Sequence, residues 1–203
     1  MHAGGFTPDG KTVVTAGGAN DGSIRTWNPK TGECIATIAA SPLTHSVDGI
    51  TCMAFSADST VLVTGGVEGS VVMSNIASGK PVAQVKEHTD SIEAVAFAHG
   101  LPLVVSASMD GKVIIWDIGA ASMRGVCELP DGVVALAMQH RGPLFASACI
   151  DGAVRVFDVR TAQLVTTLRG HKEVVQAVTW APDDVHLMSG SDDHTVRIFE
   201  VSQ

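Results

Sequence analysis

The chain repeats itself. Asp21-Gly22-Ser-Ile-Arg-Thr-Trp27 returns as Glu68-Gly69 running to Ser74, as Asp110-Gly111-Lys-Val-Ile-Ile-Trp116, as Asp151-Gly152-Ala-Val-Arg-Val-Phe157 and as Asp193-His194-Thr-Val-Arg-Ile-Phe199. Successive copies lie 47, 42, 41 and 42 residues apart. A fixed period of this length marks a stack of like supersecondary units, because one such unit cannot bury its own faces and must pack on its neighbours.

Within each unit the apolar residues alternate or run in short blocks between turn residues, which is the signature of strands. In the third unit Ile92–Phe97, residues 103–106 and residues 113–116 are expected strands, with a weaker fourth after them. Tight turns are expected at Pro8-Asp9-Gly10, Ala57-Asp58-Ser59, His99-Gly100, Arg141-Gly142-Pro143 and Pro182-Asp183-Asp184. The reading is an all-β propeller region of about five four-stranded blades. Their approximate bounds are 1–38 (cut short at its start), 45–86, 88–129, 130–168 and 171–203.

Composition narrows the function. The 203 residues are 45% apolar, enough for a sizeable core, and residues 1–5 do not open a basic-then-apolar leader. No apolar run reaches the length of a membrane span, so neither secretion nor membrane insertion is expected. Cys34, Cys52, Cys127 and Cys149 form no C-x-x-C pair, so buried free thiols, no metal and a reducing compartment are expected. The formal net charge of −8 repels a phosphate backbone, so direct nucleic-acid binding is not expected and a basic protein segment is the better partner. Lys and Arg are scattered without an import cluster; the cytoplasm is expected, with the nucleus left open.

The repeated phrases resemble the WD-repeat family, whose blades run from a Gly-His turn through a strand Ser or Thr and a turn Asp to Trp-Asp. The resemblance implies a hydrogen-bonded His–Ser/Thr–Asp–Trp network within a blade. The third unit carries all four as His88, Ser106, Asp110 and Trp116; the fifth keeps His171, Ser189 and Asp193; the first keeps Thr15, Asp21 and Trp27. Phe157 and Phe199 replace the indole, Glu68 and Ser74 replace Asp and Trp, and no His lies near Leu129. Those blades are expected to rely more on packing.

A closer resemblance lies in His88-Thr-Asp-Ser-Ile-Glu-Ala-Val-Ala-Phe97, Cys149-Ile-Asp-Gly-Ala-Val-Arg-Val-Phe157, Gly170-His171 and Arg197-Ile-Phe-Glu-Val201. These are similar to the C-terminal repeats of the angio-associated migratory cell protein family. That family includes ribosome-assembly chaperones that hold a basic segment of a ribosomal protein against an acidic propeller face. The first unit is read as beginning inside a strand, at Phe6-Thr-Pro-Asp-Gly10, and no outer strand is expected to close the ring. The expectation is an incomplete ring, the C-terminal part of a seven- or eight-bladed protein.

On the family geometry, the loops entering first strands and those joining second to third strands form one binding face. That face is expected to receive Asp48, Glu87, Asp90, Asp131, Glu173 and Asp192, diluted by Lys86, Arg169 and Lys172. The leading expectation is a non-catalytic scaffold or assembly chaperone that captures a basic segment. The alternative is a substrate receptor of a cullin-RING ubiquitin ligase, because Phe145-Ala-Ser-Ala-Cys-Ile-Asp151 leading to Val156-Phe-Asp-Val-Arg160 resembles an adaptor-docking box, with Asp158 and Arg160 as its contacts. Catalysis is disfavoured: the Asp residues recur at turns, the His residues are dispersed, and no H-E-x-x-H or G-x-S-x-G element occurs. The segment from Val13 to Asn20 is glycine-rich but no helix follows it, so it is a poor phosphate cradle and no cofactor is expected.

Overall fold

The structure, a computed structural model, describes residues 3–18, 21–39, 45 and 49–201. Nineteen strands form among these residues, paired antiparallel with their neighbours in the chain. The first sheet is β1 (Ala3–Phe6), β2 (Val13–Ala16), β3 (Ile24–Trp27) and β4 (Cys34–Ile38). The second is β5 (Ile50–Phe55), β6 (Val61–Gly66), β7 (Ser70–Asn75) and β8 (Lys80–Lys86). The third is β9 (Ile92–Phe97), β10 (Leu103–Ser108), β11 (Lys112–Asp117) and β12 (Ser122–Glu128). The fourth is β13 (Val133–Met138), β14 (Leu144–Cys149), β15 (Val154–Asp158) and β16 (Gln163–Leu168). The fifth has three described strands, β17 (Val175–Trp180), β18 (His186–Ser191) and β19 (Val196–Glu200).

Burial explains the sequence pattern. β10 and β14 are buried at all six positions, so they read as unbroken apolar and small residues (LVVSAS, LFASAC) without polar alternation. The fourth strands are mostly exposed, as are β17 and β19 of the fifth sheet; β4 is exposed at four of its five positions. This corrects the expectation of buried thiols for Cys34, which lies on β4 in water. Cys127 and Cys149 are buried, and burial pushes the Cys127 thiol up to about 11 and the Cys52 thiol up to about 12, so these thiols stay protonated at neutral pH.

The chain divides after Val95 into two compact units, Met1–Val95 and Ala96–Gln203. In the first, Val14, Ala16 and Ile24 of the first sheet pack with Ile50 and Leu62 of the second. In the second, Ala146, Ala148, Val154 and Val156 of the fourth sheet pack with Val175, Trp180 and Leu187 of the fifth. Polar contacts stitch that joint at one end. Trp180 Nε1 donates to Ala137 O at 3.2 Å, Gln139 Nε2 donates to Asp184 O at 2.8 Å, and the His140 and Arg141 N–H groups donate to the Asp184 carboxylate at 2.7 and 2.8 Å.

Turns form where Gly, Asp and Pro cluster. Gly10, Ser59, Gly100 and Asp184 take φ of 70°, 60°, 70° and 58° at matching points of the first hairpins. Two bulge positions recur as well. The ladder slips between Ile50 and Cys52, Val133 and Ala135, and Val175 and Ala177 in first strands, and again at Trp27, Ser74, Trp116 and Phe157 in third strands. A bulge in β5, β13 and β17 bends each of these first strands.

Candidate protein-binding face

Among the described residues, the loops that lead into β9, β13 and β17 are each held by the turn between the second and third strands of the preceding sheet. Gly69, Gly111 and Gly152 take φ of 81°, 77° and 77°, and a Cβ on them would lie 2.5 Å from His88 O, 3.1 Å from Leu129 O and 3.1 Å from both His171 O and Glu173 O. Only glycine fits a left-handed turn with a neighbouring carbonyl so close. The same turns grip their own sheet's loop: Val67 N donates to Gly49 O at 3.2 Å, Ile150 N to Gly132 O at 3.0 Å and Asp192 N to Val174 O at 3.0 Å.

Side chains lock this arrangement differently from sheet to sheet. In the fifth, His171 Nδ1 lies 3.0 Å from Asp193 Oδ2 and its Nε2 lies 2.8 Å from Ser189 Oγ. The Thr195 hydroxyl, followed by the Lys172 N–H and His171, holds the Asp193 carboxyl well below the usual carboxylate range. In the first and third, the indoles of Trp27 and Trp116 donate to Thr15 Oγ1 at 2.9 Å and to Ser106 Oγ at 2.8 Å. His88 is buried, and Asp110 accepts the Lys112 N–H at 2.9 Å.

The second and fourth sheets overturn the expectation that they depend on packing instead. Buried His45 places Nε2 2.7 Å from Thr64 Oγ1 and Nδ1 2.9 Å from Glu68 Oε1, with Ser70 Oγ also bonded to Glu68. Burial works against charge on Glu68, but the His45 and Ser70 hydrogen bonds outweigh it and hold its pKa at about 2. Sequence reading missed His45 because Thr44, not Gly, precedes it. The available signal was spacing: His45 stands 23 residues before Glu68, as His88 and His171 stand 22 before Asp110 and Asp193. In the fourth sheet, buried Arg155 supplies the missing partner, with Nη1 3.0 Å from Asp151 Oδ1 and Nη2 2.5 Å from Asp151 Oδ2. Arg25 does the same for Asp21 in the first sheet at 3.2 and 3.4 Å. Both arginines stand four residues after the turn Asp.

Of the residues expected on the face, Asp48 lies outside the described residues. Glu87 and Asp90 are exposed on the loop of the first unit, either side of buried His88. Asp131, Glu173 and Asp192 are exposed in the second unit. Asp131 Oδ1 accepts the Gly132 N–H at 2.8 Å and Asp192 Oδ2 accepts Gln176 Nε2 at 2.9 Å. Among the described residues no ion pair engages Asp131, Glu173 or Asp192, so their charge faces solvent. The alternative docking pair is closed on itself: Arg160 Nε and Nη2 donate to Asp158 Oδ1 and Oδ2 at 3.1 and 2.5 Å.

Five antiparallel sheets with period-locked loops define a repeat-built binding scaffold. The family model for the WD domain, G-beta repeat, matches residues 3–28, 32–73, 79–117, 125–158 and 162–200, and the chain belongs to that family. After the first, each matched segment begins next to or within a fourth strand and runs through three strands of the following sheet. The chain is 31% identical over 208 residues to an uncharacterized WD repeat-containing protein of Schizosaccharomyces pombe, covering 98% of this chain and 52% of that protein. It is 28% identical over 212 residues to the angio-associated migratory cell protein of Homo sapiens, covering 97% and 48%. The chain thus spans about half the length of these curated relatives. Among solved structures, that of the RRP9 WD40 repeats superposes with a TM-score of 0.86 at 25% identity, over 100% of this chain and 60% of the other. The structure of U3-55K gives a TM-score of 0.86 at 24% identity, over 100% and 61%. The WD-repeat fold is a protein-interaction scaffold and, in general, a non-catalytic one.

Proposed function

We propose that this chain is a non-catalytic binding module that captures a basic protein segment, and that it serves in the cytoplasm or nucleus as an assembly chaperone for a ribosomal protein. The observation that carries the reading is the placement of Asp131, Glu173 and Asp192: exposed, outside any ion pair, and set on loops and turns fixed by backbone hydrogen bonds. Pre-set loops lose little entropy when a partner binds, and unneutralised carboxylates steer a cationic one. The resemblance of the phrases at His88–Phe97 and Cys149–Phe157 to a family that includes ribosome-assembly chaperones supports the ribosomal client. In pull-downs with the full chain, Glu87→Lys, Asp90→Lys and Glu173→Lys together should abolish recovery of a basic client. Equal recovery by the two proteins would remove this face from the account.

The second reading, a substrate receptor docked on a cullin-RING ligase through Asp158 and Arg160, is favoured by one feature. The Arg160 side chain is 58% exposed and held in a fixed fork by Asp158, beside a hollow of about 180 Å³ lined by Pro143, Leu144 and Val165. The same ion pair also explains Arg160 as a purely local contact, so this reading stands second. Arg160→Ala should lose ligase-adaptor association if docking occurs there; an unchanged signal counts against it.

A further inference from the structure

The joint between the fourth and fifth sheets shows what covers the face of a sheet in this chain. On the fourth sheet the register row Ala137, Ala146 and Val156 faces the joint, and Trp180, at the end of β17, lies over it. Trp180 is 3% exposed, shares a buried cluster with Leu144, Ala146 and Val156, and donates its indole N–H to Ala137 O. The first unit repeats the arrangement: Phe55, at the end of β5, lies against Gly5, where a Cβ would sit 3.3 Å from Phe55 Cε2.

The fifth sheet presents the same row to solvent. Thr179, Met188 and Ile198 hold the register positions of Ala137, Ala146 and Val156. With Pro182 and His186 they line an open hollow of about 620 Å³, in which Met188 and Ile198 are exposed. The chain also carries a matching cover. In the first sheet Phe6, Val13 and Trp27 form the row that Trp180, Leu187 and Phe199 form in the fifth. Phe6 is 63% exposed and Val13 and Trp27 are half-buried, whereas Trp180 and Leu187 are buried.

We propose that the chain self-associates head to tail, the first sheet of one copy seating Phe6 in the Thr179–Met188–Ile198 hollow on the fifth sheet of a second copy. The contact continues the sheet-on-sheet packing found inside the chain and does not rest on the basic-segment reading. Burial of an aromatic ring and of the apolar side chains beneath it supplies the attraction. The polar stitch of the internal joint does not recur. Gly10 stands where Asp184 offers its carboxylate, and Pro182, at the place of His140, has no N–H to donate. The contact is therefore weaker than the internal joint and depends on concentration. Because the two surfaces differ, a pair leaves one of each free, and the assembly grows unless its rotation closes a ring.

Sedimentation velocity of the full chain over about 1–200 µM should show an average mass that rises with concentration, to dimers and beyond. Phe6→Lys and Ile198→Lys should each remain monomeric over that range. Mixed in equal amounts they should associate again, as 1:1 pairs and nothing larger, because the Phe6→Lys copy keeps its hollow and the Ile198→Lys copy keeps its aromatic ring. Both side chains are exposed in the single chain, so the urea midpoints of the two variants at low micromolar concentration should match the unmodified protein and separate association from folding. An unmodified chain that stays monomeric throughout overturns the proposal, whether its own first sheet covers the hollow or nothing does. Loss of association in Ile198→Lys alone would mean that two hollows meet each other, and a mixture that stays monomeric would mean that the two faces do not meet; either result also overturns it.

Discussion

Glu68 shows how much one side chain can do that its letter hides. Read as a departure from a turn Asp, it suggests a weakened repeat; in the structure it closes a buried His45–Thr64 network. Its pKa of about 2 lies below the 4.5 of an unperturbed glutamate, so the linked stabilisation is fully present above about pH 4.5 and is lost as pH falls through 2. Glu68→Gln should therefore cost about 2 kcal/mol at pH 7 by urea unfolding, and the gap from the unmodified protein should shrink steadily between pH 4.5 and pH 2. A gap independent of pH would mean that shape, not charge, holds the site. The network was legible only through the His-to-acid spacing, because neither Thr44 nor Glu68 spells the expected motif.

At the scale of the sheet, strands and turns were written plainly in the sequence, and the two recurrent bulges were not. Ile92–Phe97 was expected as a strand and is β9; expected strands 103–106 and 113–116 lie within the longer β10 and β11. A bulge shifts register by one residue without changing composition, so a period-two pattern absorbs it unseen. The fourth sheet's internal lock was hidden for another reason: Arg155 on a strand reads as a solvent-facing charge, yet its side chain is only 7% exposed and clamps Asp151. Arg155→Met should destabilise the protein by about 1 kcal/mol, because it leaves the partly exposed Asp151 carboxylate without its partner. Adding Asp151→Asn should return part of that loss. Chemical denaturation of the three variants checks this; a double variant no better than the single one would show that the pair contributes packing alone.

Across the molecule, the same register positions meet different surroundings. Val156 of β15 is fully buried against the fifth sheet, whereas Ile198, its counterpart on β19, is 70% exposed. Val156→Lys should cost about 4 kcal/mol or more, and Ile198→Lys should change stability by no more than about 0.5 kcal/mol. Thermal melts of the two variants measure the contrast, and similar losses would contradict it. The exposure of Glu87, Asp90, Asp131, Glu173 and Asp192 was legible because the repeat pattern puts them in loops and turns. The most direct test of the account is hydrogen exchange on the full chain with and without a lysine-rich peptide. Protection concentrated at residues 87–91, 129–133 and 171–175 is the predicted result; protection confined to the opposite hairpins, at 140–143 and 182–184, would contradict it.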